Sequence, residues 1–76
     1  MKEQEIVELL KKDDDEFRRL SEEHKNLEGL LFEIDRKHYL TPEEEIERKK
    51  LQKQKLIKKD RMAELIRAYK KSRSMN

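Results

Sequence analysis

Three groups of side chains in this sequence have the types and spacing from which a chemical site could be built. They are the histidines His24 and His38, the adjacent pair Lys59 and Asp60, and the acidic run at positions 13–16. An imidazole can bind a metal or transfer a proton, a lysine beside a carboxylate can form an acid–base pair, and clustered carboxylates can bind a cation. Each interpretation requires partner groups that meet in space, so it depends on the elements that carry these residues.

Helical geometry argues against all three sites. His24 and His38 would lie about 21 Å apart along a helix, at 1.5 Å per residue, which is too far to share a metal ion. Consecutive carboxylates on a helix point in different directions, so positions 13–15 suit a solvated or capping role. Lys59 and Asp60 would sit on a helix surface without the concave, water-poor pocket that catalysis needs. With no cysteine for a thiol nucleophile or a zinc ligand, we expect no enzyme, metal or cofactor.

The composition indicates helices. The chain has 76 residues, of which 50% are charged and 33% hydrophobic, with one Gly, one Pro and a net charge of +2. Disorder is the alternative for such a polar chain, but disordered segments usually have a high net charge and abundant Pro and Gly. The length suits one domain, residues 1–76. Since there is no run of about 18 apolar residues and no apolar stretch of a secretory signal, we expect a cytoplasmic protein without a membrane span.

The first half of the chain follows a heptad pattern. Its apolar positions are spaced by three and four residues, and His24 fills the only gap in the series. Ile6 and Leu10 continue the same register, which favours one helix over about residues 2–38. The alternative is a cap at Asp13, with Glu16 at the third helical position, which would make residues 2–12 a short separate helix.

A turn and a second helix follow. Thr41 is a good N-cap, Pro42 suits the first helical position, and Glu44 can complete a capping box with Thr41. The sequence therefore predicts a turn at 39–41, a helix over about 42–71 and a frayed tail at 72–76.

Two long helices joined by a short turn pack as an antiparallel hairpin that resembles a coiled coil. If the turn sets the register, residue i lies near residue 83 − i. This alignment pairs Phe17 with Ile66 and forms a polar layer in which His24 bonds to Asp60, to backbone or to water. The predicted polar layer comprises His24, Lys55, Lys59 and Asp60. The predicted apolar seam comprises Leu10, Phe17, Leu20, Leu27, Leu31, Ile34, Leu51, Leu56, Met62, Leu65, Ile66 and Tyr69.

The small net charge conceals a large separation of charge. Residues 1–45 hold 8 basic and 15 acidic side chains, a balance of −7, whereas residues 46–76 hold 12 basic and 3 acidic ones, a balance of +9. We favour complementarity between an acidic and a basic helix. A cationic surface for nucleic acid is the alternative. The basic residues of that possible surface are Lys49, Lys50, Lys53, Lys58 and Arg61.

Two motifs suggest a family. The first is Phe17-x-x-Leu20-x-x-x-His24-x-x-Leu27, and the second, after Thr-Pro, is Leu51-x-x-x-Lys55-Leu56-x-x-Lys59-Asp60. Together, over roughly residues 10–68, they resemble the YdcH-like family of small bacterial helical-hairpin proteins. The resemblance implies a helical fold and a cytoplasmic location, and it supplies no activity.

Several apolar residues have no place in a two-helix seam, and such exposed surface usually marks an interface. They are Leu9, Leu30, Phe32, Ile46 and Ile57. We expect the hairpin to dimerise into a four-helix bundle, or to bind a different protein. The function predicted from the sequence is thus a small protein-interaction module of adaptor or regulatory type, with a nucleic-acid-associated protein as the alternative.

Overall fold

A computed structural model describes residues 2–74 of the chain. Within them there are three helices and no strand: α1 is Glu3–Asp13, α2 is Asp15–Asp35 and α3 is Pro42–Ser74. A single residue, Asp14, joins α1 to α2, and residues 36–41 join α2 to α3. The all-α class predicted from the sequence is confirmed.

The prediction of one helix over residues 2–38 is wrong, because the chain breaks at Asp14. This residue has extended dihedral angles, φ −118° and ψ 110°, and its side chain accepts a hydrogen bond of 3.1 Å from the backbone N–H of Phe17. The break matches the alternative of a short separate helix, with the N-cap at Asp14 rather than Asp13. A cap of this kind satisfies one of the N–H groups that every helix start leaves free.

Arg18 fixes the corner between α1 and α2. Its Nε donates to the carbonyl of Lys11 at 2.8 Å, and its Nη2 donates to the carbonyl of Lys12 at 2.9 Å. Its Nη1 also lies 3.0 Å from the carboxylate of Asp15. One guanidinium therefore caps the free carbonyls at the end of α1 and holds the start of α2.

After this corner, α1 turns back along α2 instead of extending away from it. Glu3, at the far end of α1, lines the same cavity as His24 in the middle of α2. The dimensions of 54 × 20 × 16 Å agree, because an α1 pointing sideways would widen the molecule. The predicted two-helix hairpin is thus incomplete: a third helix lies over half of the α2–α3 pair.

α2 and α3 pack antiparallel, and ion pairs connect them along the length of the pair. In the two pairs nearest the loop, the residue numbers add up to 83, as the predicted alignment requires. In the two pairs farther from the loop, the sums are lower by a few residues. The pairs are Asp35–Arg48 at 2.7 Å, Glu28–Lys55 at 3.7 Å, Glu23–Lys58 at 3.0 Å and Glu16–Arg61 at 2.8 Å.

In the part of the chain that the structure describes, two apolar clusters form the core. One lies where three helices meet and contains Ile6, Leu10, Phe17 and Ile66, with Val7, Met62, Leu65 and Tyr69 half-buried against it. The other joins only α2 and α3 and contains Leu27, Leu31 and Leu51, with Ile34 against it. Leu20 is also buried.

Leu56 departs from the predicted seam, since 57% of the residue is exposed. It follows Leu51 by five positions, a rotation of about 140° around the helix, which moves it out of the buried contact with α2.

The second connection is longer than predicted. α2 ends at Asp35, so the loop covers residues 36–41 rather than 39–41. At the start of α3, the Thr41 N–H donates to Glu44 Oε1 at 3.0 Å and the Glu44 N–H donates to Thr41 Oγ1 at 3.1 Å, which makes a complete capping box. The helix runs on to Ser74, so residues 72–74 are helical and not the frayed tail predicted; Met75 and Asn76 of that tail lie outside the described residues.

Candidate protein-interaction surfaces

His24 lies in the cavity beneath α1, together with Lys55 and Lys59. Its Nδ1 is 3.1 Å from Glu28 Oε1 within α2, a partner that the sequence did not predict. Asp60, one of the predicted partners, lies exposed on α3. The Nε2 of His24 is buried and has no hydrogen-bond partner among residues 2–74. The cavity therefore contains three of the four residues of the predicted polar layer, with Glu28 in the place of Asp60.

The other candidates for chemistry are dispersed. His38 is exposed in the loop after α2. In the acidic run, Asp14 caps α2, Asp15 pairs with Arg18, and Glu16 pairs with Arg61. Across the described part of the chain, no three His, Asp or Glu side chains are placed to hold a metal ion.

The most distinctive surface feature is exposed apolar area. Among residues 2–74, six large hydrophobic residues are more than half exposed: Leu30, Phe32, Tyr39, Ile46, Leu56 and Ile57. The sequence had left four of these without a place in the seam, and it missed the exposure of Tyr39 and Leu56. Side chains of this size are usually buried, so their arrangement on the surface is informative.

Phe32 and Leu56 line one groove between α2 and α3, which we call the Phe32–Leu56 groove. Leu31 also lines it, and the guanidinium of Arg36 lies 5.9 Å from the centre of the Phe32 ring. Glu28 and Asp35 border it on α2, and Lys55 and Lys59 border it on α3.

This groove is continuous with the cavity beneath α1. Glu28, Lys55 and Lys59 line both the groove and the cavity beneath α1. α1 therefore fills one half of a channel between α2 and α3, and the other half, toward the loop, is uncovered within the described residues. Sequence reasoning missed this channel because it assigned Leu56 to the seam and extended α1 away from the pair.

The opposite side of the α2–α3 pair has the other exposed aliphatic residues. Ile57 lines a shallow depression with Asn26 and Leu27 of α2. Leu30 follows Asn26 by four positions and Leu27 by three, so it lies on the same side. Ile46 precedes Ile57 by eleven residues, three turns of helix, and shares its face. We call the surface made by Leu30, Ile46 and Ile57 the Leu30 face.

Part of the predicted basic surface is engaged within the chain. Lys58 pairs with Glu23, while Arg61 pairs with Glu16 and with Glu64 at 3.1 Å. The hydrogen bond from Arg61 to Glu16 raises the pKa of the guanidinium, and the one to Glu64 raises it further, to a smaller extent. Lys49, Lys50 and Lys53 are exposed on α3. Along this edge, the charge separation seen in the sequence thus serves to join α2 to α3.

The loop end carries its own ion pair. The ammonium group of Lys37 contacts the carboxylate of Glu44, and this contact, with the backbone hydrogen bond from Thr41, lowers the pKa of Glu44. Tyr39 extends into solvent from the same loop. The loop is therefore tied to the first turn of α3 while it presents an aromatic side chain outward.

Comparison with known proteins finds no matching family model, no similar curated protein and no similar solved structure. Among the described residues, none of the helices is both long and apolar enough to cross a bilayer.

Proposed function

We propose that this chain is a protein-interaction module, and that its first partner is a second copy of itself. The proposal rests on the Leu30 face, whose three large aliphatic residues are each more than half exposed. Their helical spacing places them on one side of the α2–α3 pair. α1 lies over the opposite side, so nothing in the described residues obstructs this face. Two copies docked here form the four-helix bundle of two hairpins, each with α1 on its outer side.

The thinness of the core supports a second copy as the occupant. At the loop end the core consists of two helices and one small cluster, Leu27, Leu31 and Leu51. A single layer of this kind rarely stabilises a chain of this size. Docking on the Leu30 face would give the cluster a second layer of apolar side chains.

Charge distinguishes between two symmetric arrangements. A twofold axis perpendicular to the helices would place α2 of one copy on α2 of the other, and α3 on α3, so that like charges would meet. A twofold axis parallel to the helices places α2 of one copy against α3 of the other. α2 has 7 acidic and 3 basic side chains, and α3 has 12 basic and 6 acidic ones. The parallel axis therefore brings opposite charges together, and we propose that arrangement.

Adjacent residues of α3 provide a matched test of the dimer. Leu56 and Ile57 are almost equally exposed, at 57% and 55%. They project from α3 about 100° apart and line separate depressions on the two sides of the helix pair. Sedimentation equilibrium at several concentrations should give a dimer for the wild type and for Leu56→Asp, and a monomer for Ile57→Asp. Circular dichroism should give the same helix content for all three proteins.

Two results would overturn the dimer. One is a wild type that stays monomeric at the highest concentration; the other is a dimer that Leu56→Asp disrupts and Ile57→Asp leaves intact.

The remaining expectations from the sequence belong to the same proposal. The YdcH-like resemblance supports a helical-hairpin core and a cytoplasmic location, without an activity. The nucleic-acid alternative has less support, because Lys58 and Arg61 are paired with carboxylates of α2 and the acidic helix lies directly beside the basic one.

A further inference from the structure

We infer that the Phe32–Leu56 groove binds an amphipathic helix of another protein. The groove lies on the side opposite the Leu30 face, so this inference does not depend on the proposed dimer. Three observations carry it: the helix already seated in the other half of the channel, the apolar residues exposed in the open half, and the charges along its two edges.

α1 demonstrates what the channel accepts. It lies between α2 and α3 with Ile6 and Leu10, four positions apart, buried against Phe17 and Ile66. Ile6 is 2% exposed and Leu10 7% exposed, so this spacing places two consecutive anchors in the seat. The open half is a continuation of the same seat, since Glu28, Lys55 and Lys59 line both parts.

The open half has room for about two helical turns. It extends from the Glu28–Lys55 pair to the Asp35–Arg48 pair, seven residues or about 10 Å along α2. Phe32 and Leu56 stand on its two sides, at 62% and 57% exposure. A bound helix would place two apolar residues, three or four positions apart, between them, as α1 does in its own half.

The edges of the groove differ in charge. Glu28 and Asp35 on the α2 edge pair with Lys55 and Arg48 of α3, but about half of each carboxylate side chain remains exposed to a partner. Lys55 and Lys59 lie on the α3 edge, and in the filled half the acidic Glu3 of α1 lies near these lysines. We therefore expect the bound helix to carry Lys or Arg on the side facing α2, and Asp or Glu on the side facing α3.

A displayed library of helical peptides tests this inference with the full chain as bait. The peptides, about 16 residues long, carry fixed apolar positions at i and i+4 and randomised positions elsewhere. We expect enriched peptides with the charge arrangement described above, with an affinity that falls at least about tenfold in Leu56→Asp and in Phe32→Asp. Ile57→Asp, the matched control, should bind them as the wild type does.

The outcomes separate this inference from the proposed dimer. If Ile57→Asp is a monomer and still binds the peptides, both proposals hold; if the wild type fails to dimerise but binds them, only the dimer fails. The inference is overturned if no helical peptide is enriched, or if the enriched peptides bind Leu56→Asp and Phe32→Asp as tightly as the wild type. Unchanged circular dichroism of both groove variants shows that loss of binding is not loss of folding.

Discussion

The carboxylate of Asp14 accepts a hydrogen bond from the backbone N–H of Phe17, and the side chain of Phe17 is completely buried. The residue that ends the bend between α1 and α2 is therefore tied to the residue around which three helices pack. This relationship couples the direction of α1 to the formation of the core.

Removal of the cap should destabilise the protein. Asp14→Ala eliminates the hydrogen bond to Phe17, and N-cap replacements of this kind typically cost about 1 kcal/mol in the free energy of unfolding. Urea denaturation followed by circular dichroism measures the change. Asp13→Ala is the matched control, because Asp13 is exposed at the end of α1, and its effect should be clearly smaller. Equal losses in the two variants would contradict the assignment of the cap to Asp14.

Truncation of the two phenylalanines should have very different effects on the free energy of unfolding. Phe17 is 0% exposed, so Phe17→Ala should cost about 3–5 kcal/mol, enough to threaten folding of a chain this small. Phe32 is 62% exposed, and Phe32→Ala should change the free energy of unfolding by less than about 0.5 kcal/mol.

If Phe17→Ala does not fold, Ile66→Val provides a milder measurement of the same cluster. It should cost about 0.5–1.5 kcal/mol. The melting temperatures of the three variants should be compared under the same conditions. The largest fall in Phe32→Ala would contradict the assignment of Phe17 and Ile66 to the core.

His24 should be dispensable for stability. Its Nε2 is buried without a partner among the described residues, and an unsatisfied buried polar atom is costly. His24→Leu should therefore raise the melting temperature at neutral pH, despite the loss of the contact with Glu28. His38→Leu, in the exposed loop, should leave it nearly unchanged. A marked fall in the melting temperature of His24→Leu would contradict the unsatisfied state of the imidazole.

Acid should remove the contribution of Glu44. Its pKa in the folded chain lies below the usual value for a glutamate, chiefly because Lys37 bonds to its carboxylate. A group with a lowered pKa stabilises the fold above the pKa of the unfolded chain, and this stabilisation is lost as the pH falls through the folded pKa. The stability difference between wild type and Glu44→Gln should thus be constant near neutral pH and decline below about pH 4.3, the ordinary pKa of a glutamate.

Lys37→Gln provides the second arm of that experiment. Since Lys37 is the largest cause of the lowered pKa, its replacement should make the effect of Glu44→Gln on stability less dependent on pH. The same pH dependence with and without Lys37 would disprove the role of this ion pair.

Nucleic acid should bind weakly or not at all. Lys58 and Arg61 are paired with α2, and acidic side chains border the basic helix. We expect no binding to single-stranded or duplex DNA at an ionic strength of about 0.15 M, where exposed charges are screened over roughly 8 Å. Fluorescence anisotropy at two salt concentrations measures this. Tight binding that weakens steeply with salt, and that is lost in Lys49→Gln/Lys53→Gln, would favour the alternative function.

Local chemistry made the start of α3 predictable. Thr41, Pro42 and Glu44 are close in sequence, and each has one dominant role at a helix start, so the capping box follows from the residues themselves. The alignment of α2 with α3 was also accessible, because a short loop limits how two helices can pair.

The direction of α1 could not be predicted in the same way. Ile6 and Leu10 continue the heptad pattern of α2, and this pattern fits a straight helix as well as one that turns back at Asp14. The decision rests on tertiary contacts, namely the seating of these residues against Ile66 and the capping of Lys11 and Lys12 by Arg18. The Phe32–Leu56 groove was missed for the same reason, since it is defined by where α1 stops.

The return of α1 also determines where an attached segment would emerge. Lys2 precedes the turn of α1 that lies beside His24 and Lys59, near the middle of α3 and at the edge of the Phe32–Leu56 groove. An affinity tag fused to the amino end would leave the molecule halfway along its side, next to that groove. A tag fused to the carboxyl end would leave from the tip of α3, after Ser74, far from the groove. Carboxyl-terminal fusions are therefore the appropriate format for every binding measurement on this protein.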